Sequence, residues 1–306
     1  MTATQDVIPQ DAPPGDVAEG ARVRGGAVVT GAGRGLGFEI ARRLLGRGYV
    51  VHVTDVDGAL AARAAAELGP RAFAGTLDVR SFPACRAAAA RTQRRAGSLD
   101  VWVNNAGVLV TGPAWEQDER TRALMLEVNA TGTINGTLAA LEPMRAAGSG
   151  QIINVVSLAG LVAAPGEAVY AASKHAAIGF SLATLADLRV AGIDEITISC
   201  VCPDGVWTPM LHDKLEDPNA AASFSGVLLK LGQVADEVIG LLDNPQPVLA
   251  ILRWRGAMMR LYDLLPGLAI RYAPRVMARA RRKQRRYQRK LRRAGASEAA
   301  SPAPRS

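Results

Sequence analysis

Tyr170 and Lys174 stand four residues apart in the stretch Tyr170-Ala171-Ala172-Ser173-Lys174. On a helix that spacing puts both side chains on one face, so a phenol and an ammonium can point into one cleft. A phenol can give a proton to a substrate oxygen or take one, but a free tyrosine titrates near ~10, too high for a base at neutral pH. A cation about 4 Å away, at an effective dielectric near 20, favours the phenolate by ~4 kcal/mol, or roughly three pK units. Desolvation of the phenol opposes this, so the ammonium must be close. Ser157 follows the apolar run Gln151–Val156, and the end of such a strand is where ligand-facing residues of a parallel sheet emerge.

A second cluster is Thr30-Gly31-Ala32-Gly33-Arg34-Gly35-Leu36-Gly37. It lies where an apolar strand gives way to an amphipathic helix. Glycines there let the backbone turn tightly and approach a pyrophosphate without Cβ atoms in the way. The helix that follows offers unpaired N–H groups and the positive end of its dipole to that anion. Asp55 closes the next strand, where an acid accepts hydrogen bonds from the ribose hydroxyls of NAD and repels the 2′-phosphate of NADP. Arg34 pulls the other way, because a guanidinium welcomes that phosphate. The acid sits at the discriminating oxygen, so NAD is expected over NADP.

These residues need a scaffold. Strands are expected at Ala27–Thr30, Tyr49–Thr54, Ala72–Leu77, Asp100–Val103, Gln151–Val156, Ile196–Cys202 and Pro247–Leu252, most of them nearly continuous apolar runs that suit burial on both faces. Ala/Leu-rich helical segments separate them. In Phe38–Leu45, the residues Ile40, Ala41, Leu44 and Leu45 form one apolar stripe, and Gly46 and Gly48 offer the stop. Strand and helix in repeated alternation imply an α/β fold built on one doubly wound parallel sheet.

With these motifs in this order, the chain from about Gly26 to Leu252 resembles the short-chain dehydrogenase/reductase family, in its branch with a Thr-Gly-x-x-x-Gly-x-Gly turn. Further matching elements are Asp78-Val79, Asn104-Asn105-Ala106-Gly107, Asn129 in Leu-Glu-Val-Asn, and Ile153 through Gly160. The resemblance implies a single Rossmann domain and NAD-dependent hydride transfer to or from an alcohol or carbonyl substrate. It implies a catalytic tetrad of Asn129, Ser157, Tyr170 and Lys174. Tyr170 would be the acid/base, Ser157 would hold the substrate oxygen, Lys174 would bind the nicotinamide ribose and favour the tyrosinate, and Asn129 would hold a relay water. Cofactor contacts implied are Gly31, Arg34, Gly35, Leu36, Gly37, Asp55, Asp78, Val79, Asn105, Tyr170, Lys174 and Thr208. The family also implies a homo-oligomer, dimer or tetramer. Two departures stand out: Asp204 where the family usually has glycine, near the nicotinamide, and Val156 in place of a frequent serine. Apolar Met210, Leu211, Leu215, Phe224, Val227 and Leu228, with 161–164, suggest a lipophilic substrate.

The net charge of +8 is uneven: eleven Lys/Arg and no acid lie between Arg275 and Arg293, and the rest of the chain carries −3. Any electrostatic partner therefore belongs to the tail. Residues 1–24 read as a disordered lead with no secretory core, 25–253 as the catalytic domain, and 254–306 as an amphipathic and basic extension. Three cysteines without metal-ligand spacing suggest small buried side chains, and neither a metal nor a disulfide framework is expected. No run of ~18 apolar residues occurs, so a cytoplasmic enzyme is expected. In the extension, Trp254, Ala257, Met258, Leu261, Tyr262 and Leu265 recur at helical spacing with Arg255 and Arg260 between them, which suits peripheral contact with an anionic membrane. Packing against the body is the competing expectation. Pro274 is expected to open a further helix whose charges ring its circumference, leaving it loosely attached. Nucleic-acid binding by the tail lacks a base-reading motif. A non-catalytic dinucleotide-binding scaffold is the other alternative.

Overall fold

Among the described residues, the computed structural model has seven strands: β1 (Gly25–Val29), β2 (Tyr49–Asp55), β3 (Ala72–Thr76), β4 (Val101–Asn104), β5 (Gly150–Val155), β6 (Ile196–Cys202) and β7 (Val248–Ala250). They form one parallel sheet in the order β3-β2-β1-β4-β5-β6-β7. Residues 23–299 are described; most of the expected N-terminal lead and residues 300–306 lie outside them. Every expected strand is present, with its ends shifted by at most two residues and Ile196–Cys202 unshifted.

Both faces of the sheet are covered, which is why the strands read as unbroken apolar runs. On one face lie α1 (Gly35–Gly46), α2 (Gly58–Leu68) and α8 (Leu231–Gly240). Ile40 and Leu44 of α1 and Val234 and Val238 of α8 pack there with Val29, Val51 and Val53. On the other lie α3 (Phe82–Ala96), α5 (Gly132–Ala147) and α6 (Ala168–Val190), whose Cys85, Ala139, Met144 and Leu188 meet Val28, Trp102 and Ile152. The helix α4 (Glu119–Leu126) packs against α6. Cys200 and Cys202 are free, buried, and pack with Val156 and Ile178. The winding reverses between β1 and β4, and a doubly wound sheet opens its ligand crevice at the carboxyl ends of the strands beside that switch.

Beyond β6 come the one-turn α7 (Pro209–His212) and a 3-10 segment over Pro218–Phe224. The extension then folds into two helices, α9 (Arg253–Leu264) and α10 (Pro266–Ala299). Leu265 leaves the helical conformation between them, and Pro266 opens α10 at a position where its missing N–H costs nothing. Pro274 lies inside α10, so it does not open the helix as expected.

The basic run also differs from expectation, because it buries a face of its own. Ala280 and Gln284 are buried. Gln284 Nε2 donates toward three backbone carbonyls, of Lys214 (3.3 Å), Leu215 (3.0 Å) and Asp217 (2.7 Å), and Gln288 Nε2 reaches Leu215 O at 2.7 Å. Tyr287 packs on Phe224, and Lys283 Nζ donates to Gly226 O. Two glutamines and a tyrosine on one helical face dock the segment, and Arg292 adds an exposed pair with Glu216 at 3.2 Å. At the other end, Gly256 of α9 packs against Ala250 of β7, where a Cβ would come within 2.3 Å. The two helices thus span the body like a strap held at both ends.

Candidate active site

Gly31 has φ +60° and Gly35 φ +64°, the left-handed region that favours glycine. A side chain on Gly37 would meet Gly31 O at 2.4 Å and Asn105 Nδ2 at 2.5 Å, so this glycine lets α1 press against the turn. Arg34 precedes α1 without capping it, and the helix carries no acid in its first turn. Its first N–H groups are left pointing into a cleft lined by Gly31, Arg34, Gly35 and Leu36. Asp55 stands at the rim of that cleft, accepting from Gly33 N–H at 3.1 Å through one oxygen and from Asp57 N–H at 3.1 Å through the other. Asn105 Nδ2 donates to the carbonyls of Thr30 (2.9 Å) and Gly31 (3.0 Å), fixing the turn to the end of β4. Asp78 is paired with Arg80 at 2.6 Å, and Asp78, Val79 and Thr208 line the same cleft. An uncapped helix N-terminus behind a glycine cradle, with an acid at the end of β2, fits a dinucleotide. Of the expected contacts, only Gly37 does not reach the cleft wall; it acts through packing.

Ser157, Tyr170 and Lys174 line the cleft together. Ser157 caps the short turn Leu158–Gly160, its Oγ accepting from Ala159 N–H at 3.1 Å. Lys174 is buried, its Nζ donating to Val155 O at 3.1 Å and lying 5.7 Å from the centre of the Tyr170 ring. Burial pushes its ammonium down to about 8. Burial also pushes the Tyr170 phenol well above its ordinary range, and the Glu167 carboxylate adds to the rise, while the Ser157 hydroxyl pulls the other way by hydrogen bonding. Desolvation dominates, and the Lys174 ammonium, 5.7 Å from the ring centre, does not bring about the expected depression.

Asn129 does not line the cleft. It is fully buried in a π-turn over Glu127–Thr131, between α4 and α5. Its Oδ1 accepts from Val108 N–H at 2.8 Å, and its Nδ2 donates to Val108 O at 2.9 Å and Ser173 Oγ at 3.1 Å. A Cβ on Gly107 would lie 3.2 Å from Asn129 Oδ1 and 3.7 Å from Lys174 Nζ, which places the amide just behind the lysine.

Two residues on the cleft wall were not identified from the sequence as part of the site. Glu167, three residues before Tyr170, is buried and accepts from Ser223 through Oγ (2.6 Å) and N–H (3.2 Å). Burial raises its carboxyl to about 7. Arg255 of α9 meets Asp204, the unusual acid after β6, at 3.0 Å, with side-chain exposures of 10% and 7%. The departure at Asp204 is thereby explained: it is the buried partner of an arginine supplied by the strap. The apolar segment around α7 divides. Leu211, Leu215 and Phe224 form a small core of their own, while Met210 and Leu211 also face the cleft, joined by Met258, Met259 and Tyr262 of α9. His175 is exposed, away from the tyrosine face, bonded to Ala171 O at 2.9 Å.

The model of the short chain dehydrogenase family matches residues 26–219. A cyclopentanol dehydrogenase of Comamonas sp. is 35% identical over 211 residues, 68% of this chain and 83% of that protein. The 3-beta-hydroxysteroid dehydrogenase of Comamonas testosteroni is 34% identical over 189 residues, 62% of this chain and 74% of that one. Among solved structures, a short chain dehydrogenase/reductase from Burkholderia phymatum in complex with NAD superposes with a TM-score of 0.72 at 26% identity, covering 79% of this chain and 94% of that one. The chain belongs to the short-chain dehydrogenase/reductase family and is an oxidoreductase acting on alcohol groups. The family match ends before the strap begins.

Proposed function

We propose that this enzyme uses NAD to oxidise a lipophilic secondary alcohol, or to reduce the matching ketone, with Tyr170 as its acid/base. What carries the reading is the meeting of Ser157, Tyr170 and Lys174 with the glycine turn and Asp55 in one cleft. The dinucleotide rests on Gly31, Gly35 and Leu36, with Asp55 at the adenosine ribose and Asp78, Val79, Asn105 and Thr208 along its length. When bound, it supplies the acceptor or donor of hydride. Ser157 holds the substrate oxygen by hydrogen bonding, and Tyr170 gives that oxygen a proton in reduction or removes one in oxidation. Lys174 binds the nicotinamide ribose and stabilises the phenolate as it forms. Asn129, tied to Val108 and placed behind Lys174, acts as a positioning residue and a relay toward the ammonium. The acid at the end of β2 favours NAD, although Arg34 is exposed nearby.

The cleft measures about 1990 Å³, larger than the roughly 300–1,000 Å³ of a usual small-ligand site. It holds a dinucleotide and still leaves space for a bulky alcohol, consistent with the cyclic and steroid alcohols named for the relatives. The test is Tyr170→Phe with NADH absorbance on a panel of cyclic, steroid and long-chain alcohols. Turnover should fall by about a thousandfold with NADH binding retained. Substantial turnover in the folded variant removes Tyr170 from this role.

The enzyme works in the cytoplasm as a homo-oligomer, dimer or tetramer, a point that sedimentation equilibrium checks. Exposed Leu261, Leu264 and Leu265 at the α9–α10 junction, with Arg260 and Arg271 alongside, favour peripheral contact with anionic membranes. Among the described residues no helix is long and apolar enough to cross one. Co-sedimentation with anionic vesicles at low salt, lost at high salt, is the expected result; no co-sedimentation at low salt refutes the contact.

A further inference from the structure

The outer wall of the cleft is the strap, and its lining has two chemistries side by side. Met258, Met259, Tyr262, Ala273, Val276 and Met277 are apolar. Arg275, Arg279, Arg282 and Arg286 recur at helical spacing along α10 and also line the cleft. All four are exposed, and among the described residues none is ion-paired. Arg275 lies against the Tyr272 ring. No acid occurs between Pro266 and Ser297 to neutralise the row. The acids on the cleft wall are otherwise engaged: Asp55, Asp57 and Asp78 beside the glycine turn, Glu167 held by Ser223, and Asp204 held by Arg255, with Lys283 of α10 within reach of its charge.

We infer that the substrate is an anionic amphiphile: an apolar body carrying the reacting alcohol or ketone to Tyr170, and a carboxylate or phosphate end held by the Arg279–Arg282–Arg286 row. This inference rests on the dehydrogenase reading above. Three facts carry it together. The arginines share the wall of the reacting cleft. They are not needed for docking α10, which Gln284, Gln288 and Tyr287 accomplish. And planar guanidiniums in a row suit a multidentate oxyanion. The methionines and Tyr262 that share this wall suit an apolar body at the anion's other end.

The experiment compares long-chain secondary alcohols that differ only at one end: a carboxylate, its methyl ester, and a phosphate monoester, all below their micelle concentrations. The readouts are NADH formation and calorimetric binding to the NADH-loaded enzyme. The anionic forms should show kcat/KM about tenfold above the ester, the contribution of one charge-assisted hydrogen bond, and the advantage should shrink with added salt. In Arg279→Ala/Arg282→Ala/Arg286→Ala the ratio should collapse toward one. In Arg282→Glu it should invert. Equal kcat/KM for acid and ester in the native enzyme overturns the anion site while leaving the dehydrogenase reading intact. A ratio that survives the triple substitution overturns the assignment to this row. Failure to turn over any alcohol counts against the dehydrogenase reading, and calorimetry then decides the anion site by the same ratio of affinities. Inorganic phosphate that binds the NADH-loaded enzyme as tightly as the amphiphile, with no gain from the apolar chain, would make the row a free-anion site and refute the amphiphile.

Discussion

Arg255→Met leaves Asp204 without its paired cation in a place where the carboxylate has only 7% of its side chain exposed. Breaking a buried ion pair from one side costs about 3–5 kcal/mol, because the remaining charge is neither solvated nor paired. Gly205 N–H still donates to Asp204 at 3.0 Å, and Lys283 is near enough to feel its charge, so the cost should lie at the low end, about 3 kcal/mol. For a domain of a couple of hundred residues each kcal/mol moves the melting temperature by roughly 2–4 °C. A loss of roughly 6–12 °C is expected. Asp204→Ala should cost a similar amount by stranding the guanidinium. The double variant Asp204→Ala/Arg255→Met should cost about 4 kcal/mol, less than the sum of the two single losses, a coupling of about 2 kcal/mol. Urea titration of all four proteins, with calorimetric melting, measures the cycle. Losses that simply add in the double variant, or an Arg255→Met protein that melts within a degree or so of the native one, refute the view that the strap is pinned through this pair.

Glu167 has its pKa raised by burial from its ordinary 4.5 to about 7. A raised pKa means that the stabilisation is complete below about 4.5 and is lost as pH rises through 7, a decline of roughly 3 kcal/mol. Glu167→Gln should flatten that part of the stability–pH curve from urea midpoints at pH 5 and 8, and an unchanged slope assigns it to another group. Lys174→Met should lower kcat/KM by about a hundredfold and remove an inflection near 8 from the pH–rate profile, the value to which burial lowers its ammonium; a retained inflection refutes the assignment. The native enzyme should prefer NAD over NADP by at least about tenfold in kcat/KM, and Asp55→Ala should narrow the gap by relieving repulsion of the 2′-phosphate. Equal use of the two by the native enzyme would mean that Arg34 prevails.

What the sequence revealed and what it hid divide by the distance over which the signal acts. The seven strands, the glycine turn and the Tyr170/Lys174 spacing are local patterns, written in runs of a few residues, and all were legible. Asp204 announced itself only as an oddity, because its explanation lies 51 residues away in Arg255. Glu167 gave no sign of being buried, since its partner Ser223 comes from a distant segment. The docking of α10 was hidden because its face is polar by composition: glutamines that satisfy backbone carbonyls do not register in a hydrophobic pattern. The electrostatics of Tyr170 depended on burial, which no spacing rule supplies.

The strap's attachment and its exposed row respond to different forces. Gln284 and Gln288 hold α10 to the backbone through neutral amides, and Phe224 with Tyr287 adds aromatic contact, whereas the cleft-facing arginines act through charge. Screening by salt weakens the second and leaves the first nearly untouched. An anion held by the exposed row, as proposed above, is released by added salt, whereas the amide and aromatic contacts of α10 persist. A shift in the surrounding electrolyte would change which molecules dwell in the cleft without loosening the wall that forms it.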